Sequence, residues 1–181
     1  MILIDPDLVP VSAPRTIDVS HLRGHKRVVA VPWHLRIHAK PTLNRFLAEA
    51  QQAVCLSGEV NILLTTDAYL RKLNRKFRGK DKATDVLSFP ADGSFPAEGI
   101  GTEEIAGDLA ISVPTARKQA IDQGHSLSTE IKVLILHGLL HLAGHDHEAD
   151  NGKMARRERQ LRAKLGLPQG LIERAAKVKK P

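Results

Sequence analysis

The sequence predicts an α+β protein: one mixed β-sheet with helices packed against it. Three observations lead there. Helical and strand periodicities follow one another without the regular alternation of a doubly wound fold. Apolar residues make up 42 % of the 181 residues and charged residues 26 %, the balance of an ordinary soluble domain. Aromatics are only 3 %, so the core must come from Leu, Ile, Val and Ala. A single sheet covered by helices buries such side chains economically. The length suits one domain with a real hydrophobic core and extra tails.

Residues 1–14 carry three prolines and little periodicity, and read as a loosely attached extension. The main domain is expected over 15–167. Short strands are possible at Thr16 to Ser20 and over VVAV, 28–31. From Pro41 a helical pattern sets in, with Leu43, Phe46, Leu47, Ala50 and Val54 recurring at three and four. EVNILLT, 59–65, reads as a strand with an apolar centre. Thr66 or Asp67 can cap the next helix, which passes Leu70, Leu73 and Phe77 and stops at Gly79. DVLSFP, 85–90, is a short strand, and the glycine-rich acidic stretch 91–104 is a loop. IAGDLAISV, 105–113, is another strand, followed by a helix from Pro114 to Gly124. A strongly apolar helix spans Thr129 to Ala143, with Ser128 or Thr129 as its cap. Asn151 to Leu165 is a basic helix ended by Gly166 and Pro168, and 168–181 reads as a basic tail. Strand order stays open.

No apolar run reaches the ~18 residues of a membrane span. MILIDPDLVP is a poor secretory signal, and the single cysteine, Cys55, excludes an intrachain disulfide and a cysteine-rich zinc module. These features point to the cytoplasm. Charge is segregated along the chain. Residues 71–82, RKLNRKFRGKDK, carry a net +6; 83–150 carry −8; 151–181 carry +8. Basic flanks beside an acidic segment suit a polyanion held next to a cation-binding centre.

That acidic segment contains HGLLHLAGHDH, 137–147, with four histidines. His137 and His141, four apart, share one helix face with about 6 Å between β-carbons, so both imidazoles can reach one cation. Gly144 permits the turn that ends the helix. The chain can then double back and present His147. His145 is a competing candidate, but it lies past Gly144, where helical continuation is doubtful. The resulting H-x3-H-x2-G-x2-H spacing matches the ligand and glycine spacing of metzincin peptidases. Three imidazoles with one open position are the usual frame of a catalytic zinc. The metzincin general base, the glutamate after the first histidine, is replaced by Gly138. A peptidase would thereby lose the group that moves the water's proton. Phosphodiester cleavage, with a better leaving group, fits the basic surroundings. Asp146 either orients a ligand imidazole or caps the turn.

Arg78 ends the first basic helix and can offer a rigid donor fork to phosphate, beside Lys76, Lys80 and Lys82. Asp81 and Asp85 bracket Thr84, as a turn leading into a strand or as the lining of a cleft. Asp108 is a bulge residue or the partner of a buried group. His21, His25, His34, His38 and His125 show no ligand-like grouping. There is no P-loop, no Rossmann fingerprint and no module of paired aromatics for reading RNA bases.

Three stretches together, LNRKFRGKDKATDVLSFP (73–90), IAGDLAIS (105–112) and HGLLHLAGHDH, resemble the YbeY family of zinc-dependent endoribonucleases that mature ribosomal RNA. The resemblance covers about residues 15–165. It implies an α+β fold with zincin-like geometry, one zinc on His137, His141 and His147, and a functional role for Arg78 at the substrate phosphate. It also implies single-stranded RNA as substrate, a part in 16S rRNA 3′-end maturation and ribosome quality control, and ribosomal or assembly-factor partners in a bacterial cytoplasm. His145 stands where the family usually has Tyr or Phe, and Ala83 where it often has proline. Two other readings are a ribosome-assembly factor with a structural zinc, and a zincin-like metallopeptidase, which Gly138 opposes.

Overall fold

A computed structural model describes residues 2–5, 8, 40–91, 105–147, 150–168 and 170–178. The elements are β1 (Ile2–Ile4), α1 (Lys40–Val54), β2 (Glu59–Thr65), α2 (Asp67–Arg78), β3 (Val86–Pro90), β4 (Ile105–Ser112), α3 (Val113–Asp122), α4 (Leu127–Leu142), α5 (Lys153–Leu165) and α6 (Leu171–Val178). The sheet order is β1-β2-β4-β3. β1, β2 and β4 run parallel, and β3 pairs antiparallel at the edge. This is the expected α+β class, with the strand order now defined. The strand candidates at 16–20 and 28–31, and nearly all of the loop at 91–104, lie outside the described residues.

The side chains of alternate strand residues divide the sheet into two faces. Val60, Ile62, Leu64, Leu109, Ile111 and Val86 meet α1 and α4 in the main core. Leu87 and Ala110 face the other way, onto Leu70 of α2. The α1 positions picked out by periodicity, Leu43, Phe46, Leu47, Ala50 and Val54, are all buried. α4 is apolar around most of its circumference because it is enclosed on all sides. Ile131, Val133, Leu134, Ile135, Leu136, Leu139 and Leu140 are each at most 1 % exposed, each contributing about 1.5–3 kcal/mol of transfer free energy.

Two expectations for the chain ends differ from the structure. Ile2–Ile4, within the segment read as loosely attached, form a sheet strand in register with Ile62, Leu63 and Leu64. Ile2 is buried, and the Asp5 carboxylate accepts from Thr65 Oγ1. A three-residue strand is too short to show periodicity, so only the pairing reveals it. The basic tail likewise contains α6. Arg174 Nη1 donates to Glu130 Oε1 at 2.7 Å, and Glu130 is fully buried. Glu173 accepts from Arg159 and Arg162. Charges that look solvated in sequence are thus neutralised by acids, one of them 44 residues away.

Helix ends follow local chemistry. Thr66 caps α2 by accepting from Tyr69 N, as anticipated. The α4 cap is Ser126, which accepts from Thr129 N at 3.1 Å, so the helix starts earlier than the apolar pattern marked. Asp85 accepts from Val86 N, Thr84 Oγ1 and Gln119 Nε2, fixing the start of β3. Asp81 is taken by Arg71 in a two-pronged, exposed ion pair. Asp108 is exposed and accepts from Asn61 across the β2–β4 ladder; the register slip falls just before Gly107.

Candidate metal centre

The carboxyl end of α4 brings three imidazoles together. α4 places His137 and His141 one turn apart. After it, Gly144 adopts φ 82°, His145 N donates to Leu140 O at 3.0 Å, and Gly144 N donates to His141 O at 3.0 Å. This double closure through a left-handed residue is the Schellman stop. A substituent at Gly144 would meet nothing nearby, so glycine serves the backbone conformation and not a close contact. The reversed chain presents His147. Ring centroids lie 4.8 Å apart for His137–His141, 5.5 Å for His137–His147 and 5.3 Å for His141–His147. The donor nitrogens of the three all lie within 4.8 Å of one another. His145, whose backbone closes the helix, is not in this group.

The donor set fits a zinc ion. His137 Nε2 and His141 Nε2 face each other at 3.2 Å. Two ligands of one tetrahedral zinc, each at 2.0–2.1 Å, sit roughly 3.3 Å apart. Burial, reinforced by the neighbouring His137 and His147, pushes the His141 imidazole down to about 4. Its lone pair is therefore available throughout the neutral range. Burial falls from His137 through His141 to the exposed His147, so the cluster opens toward solvent on one side.

Sequence reasoning missed Glu158. It lies on α5, is 1 % exposed, and its Oε1 accepts from His137 Nδ1 at 3.1 Å. A carboxylate can only accept, so this contact puts the His137 proton on Nδ1 and leaves Nε2 free to bind metal. The C-terminal segment closes over it: a β-carbon at Gly170 would lie 2.6 Å from Glu158 Cδ. A sequence signal did exist, because Glu158 is the lone acid in KMARRERQLRAKL. Asp146, the acid considered for this role, is exposed and acts on His141 through its charge.

Gly138 has a packing reason. A β-carbon there would lie 2.7 Å from Leu109 Cδ2, and Leu109 is 1 % exposed. The position where a metzincin carries its base is where α4 presses on β4.

Arg78 is the last residue of α2, exposed, and forms no ion pair with a described residue. It is on a different element from the imidazoles but at the same end of the sheet. Leu142, next to His141, and Phe89 on β3 converge on Gly107, where a β-carbon would lie 2.8 Å from Leu142 Cδ2 and 2.5 Å from Phe89 O. Phe77, next to Arg78, rests on Phe89 with ring centroids 5.2 Å apart. The edge strand β3 therefore separates the imidazole cluster from the basic end of α2. Among the described residues, no helix is long and apolar enough to cross a membrane.

Known proteins align over this same region. The family model described as Endoribonuclease YbeY matches residues 32–166. A protein of Solibacter usitatus named Endoribonuclease YbeY is 53 % identical over 135 residues, which is 75 % of this chain and 85 % of that protein. One of Koribacter versatilis with the same name is 51 % identical over 141 residues, 77 % of this chain and 86 % of its own. One of Nautilia profundicola is 47 % identical over 116 residues, 64 % of this chain and 78 % of its own. With a match that takes in β2, β3, β4 and α1 through α5, and with relatives above half identity, the chain belongs to the YbeY family.

Proposed function

We propose that this chain is a zinc-dependent endoribonuclease that cuts phosphodiesters in single-stranded RNA, with His137, His141 and His147 holding the metal and Arg78 meeting substrate phosphate. The carrying observation is a three-imidazole cluster whose neighbouring position, Gly138, is pressed against Leu109, with an exposed basic helix end across β3 from it. The relatives' name supports the same chemistry. Zinc, when bound, supplies Lewis acidity at the scissile phosphate. Glu158 holds His137 in the metal-binding tautomer. Arg78 donates its planar fork to a phosphate oxygen and offsets the charge that grows there during substitution at phosphorus. Lys76, Lys80 and Lys82 add a diffuse field that draws the polyanion in. With glycine in place of the glutamate that directly follows the first histidine in metzincins, peptide hydrolysis lacks its proton carrier.

The finer reading places this activity at the 3′ end of 16S rRNA and in ribosome quality control in the bacterial cytoplasm, with the small ribosomal subunit and its assembly factors as partners. The test uses nuclease-free, zinc-loaded protein on single-stranded RNA, on the matching duplex, and on small subunits with unprocessed 16S 3′ ends. Cleavage of the single strand and trimming of the subunit RNA, both lost in His137→Ala, are the expected result. No cleavage of any substrate at full zinc occupancy overturns the enzyme reading and leaves an assembly factor with a structural zinc. The product ends identify the nucleophile: a 2′,3′-cyclic phosphate assigns the RNA 2′-hydroxyl, and a free 3′-hydroxyl assigns water.

A further inference from the structure

We propose that Phe77, seated on Phe89, is a stacking platform for one unpaired base of the strand that passes the metal centre. The proposal rests on the RNA-cleaving reading above and adds a base-binding position to it. Leu70, Leu73 and Phe77 form one apolar stripe along α2. Leu70 is fully buried under the sheet, but the stripe runs past the edge of the core, and Phe77 is 57 % exposed. The chain has only six aromatic residues, and among the described ones Phe77 is the most exposed.

The ring's surroundings determine what it can receive. It is held from below by Phe89 in an edge-to-face contact, 5.2 Å between centroids at 70°, so its orientation is set without being covered. It sits inside RKLNRKFRGKDK, a run of net +6, next to Arg78. An apolar protein partner would meet that charge at a desolvation cost. A nucleic acid strand matches both features, with phosphates for the cations and a base for the ring. Lys76 Nζ already lies 5.0 Å from the Phe77 centroid. An exposed cation–π contact is weaker than a base stack, so a base displaces the ammonium, which then turns to a phosphate. Phe89 also abuts the Gly107 junction with Leu142, the neighbour of His141, so the platform stands across β3 from the imidazoles. Phenylalanine offers no hydrogen bond, so the position accepts any base.

The experiment measures binding of a short, labelled single-stranded oligoribonucleotide to the metal-free full chain, where no cleavage intervenes. Phe77→Leu keeps an apolar side chain and removes the ring; Phe77→Trp keeps a ring. The leucine variant is expected to bind roughly 5- to 100-fold more weakly, and the tryptophan variant at least as tightly as the natural chain. Against a strand of the same length built of abasic sugars, the natural chain and Phe77→Leu should bind equally. The slope of affinity with salt should not change in Phe77→Leu, because no phosphate contact is lost. If the natural chain binds RNA while Phe77→Leu stays within about twofold of it, the platform is overturned and the endoribonuclease reading stands. Equal weakening by leucine and tryptophan, or a leucine deficit that persists on the abasic strand, also overturns it. If the natural chain binds no RNA at all, the platform is overturned, and the cleavage test at full zinc occupancy decides the endoribonuclease reading separately.

Discussion

The carboxyl ends of α4 and α2 lie at the same end of the sheet, yet they are built by opposite means. On α4 the functional side chains stand on a helix enclosed by core, and His137 is held by a buried carboxylate. On α2 the last turn carries Arg75, Lys76 and Arg78, all exposed. Under the proposed function the two ends have different tasks, and the difference fits them. Binding a metal needs donor atoms placed to a few tenths of an ångström, which requires locked rotamers and oriented protons. Capturing a polyanion needs charge within a Debye length, which solvated side chains supply without fixed geometry. A substitution at the α4 end should therefore act sharply and locally. One at the α2 end should act gradually and depend on salt.

The largest effect is expected from His137→Ala. Bound zinc, measured by elemental analysis after dialysis, should fall to background, and RNA cleavage with it. Retention of one zinc per chain would remove the α4 end from the comparison. Glu158→Gln should come next. It keeps the shape but removes the carboxylate behind His137, and zinc affinity should fall roughly 10- to 100-fold in a chelator competition. Unchanged affinity would mean that Glu158 only fills space. Gly138→Ala tests the rigidity beneath the ligands. A helical alanine ordinarily gains about 0.5–1 kcal/mol over glycine, whereas overpacking a full core costs about 1–3 kcal/mol. The second term should win because Leu109 has no free space to move into, so the urea midpoint should drop; a rise would show that α4 and β4 separate easily. Arg78→Ala should leave zinc binding intact and reduce the dependence of log affinity for single-stranded RNA on log salt by about 0.7, one phosphate contact. A lost zinc site in this variant would tie the two ends together more tightly than the contact through Phe89 implies.

The smallest effect concerns pH in the metal-free chain. His141 has an ordinary value near 6.5 and is pushed to about 4 when folded. As pH falls between these values the unfolded chain takes up a proton that the folded one refuses, so stability present above about 6.5 is lost toward 4. Denaturant midpoints should decline over that window more in the natural chain than in His141→Asn. Equal declines would show that the His141 imidazole is not desolvated without metal.

Much of this molecule is legible in one dimension. Helical spacing puts His137 and His141 on one face, and a glycine three positions on ends the helix, because both are rules of the local backbone. The same holds for α1, α2 and the central strands, whose apolar periods run long enough to stand out. β1 is too short to have a period, and it exists because Ile62 to Leu64 offer it a ladder. Arg174 of α6 meets its buried partner only once Glu130 is folded beneath it. Glu158 becomes the His137 partner because α5 returns to α4, and Phe77 becomes exposed because its stripe outruns the sheet. Local geometry and residue chemistry, which depend on near neighbours, were set by the sequence alone. Which carboxylate meets which imidazole, and which apolar side chain is left uncovered, depends on segments distant along the chain and was decided only by tertiary packing.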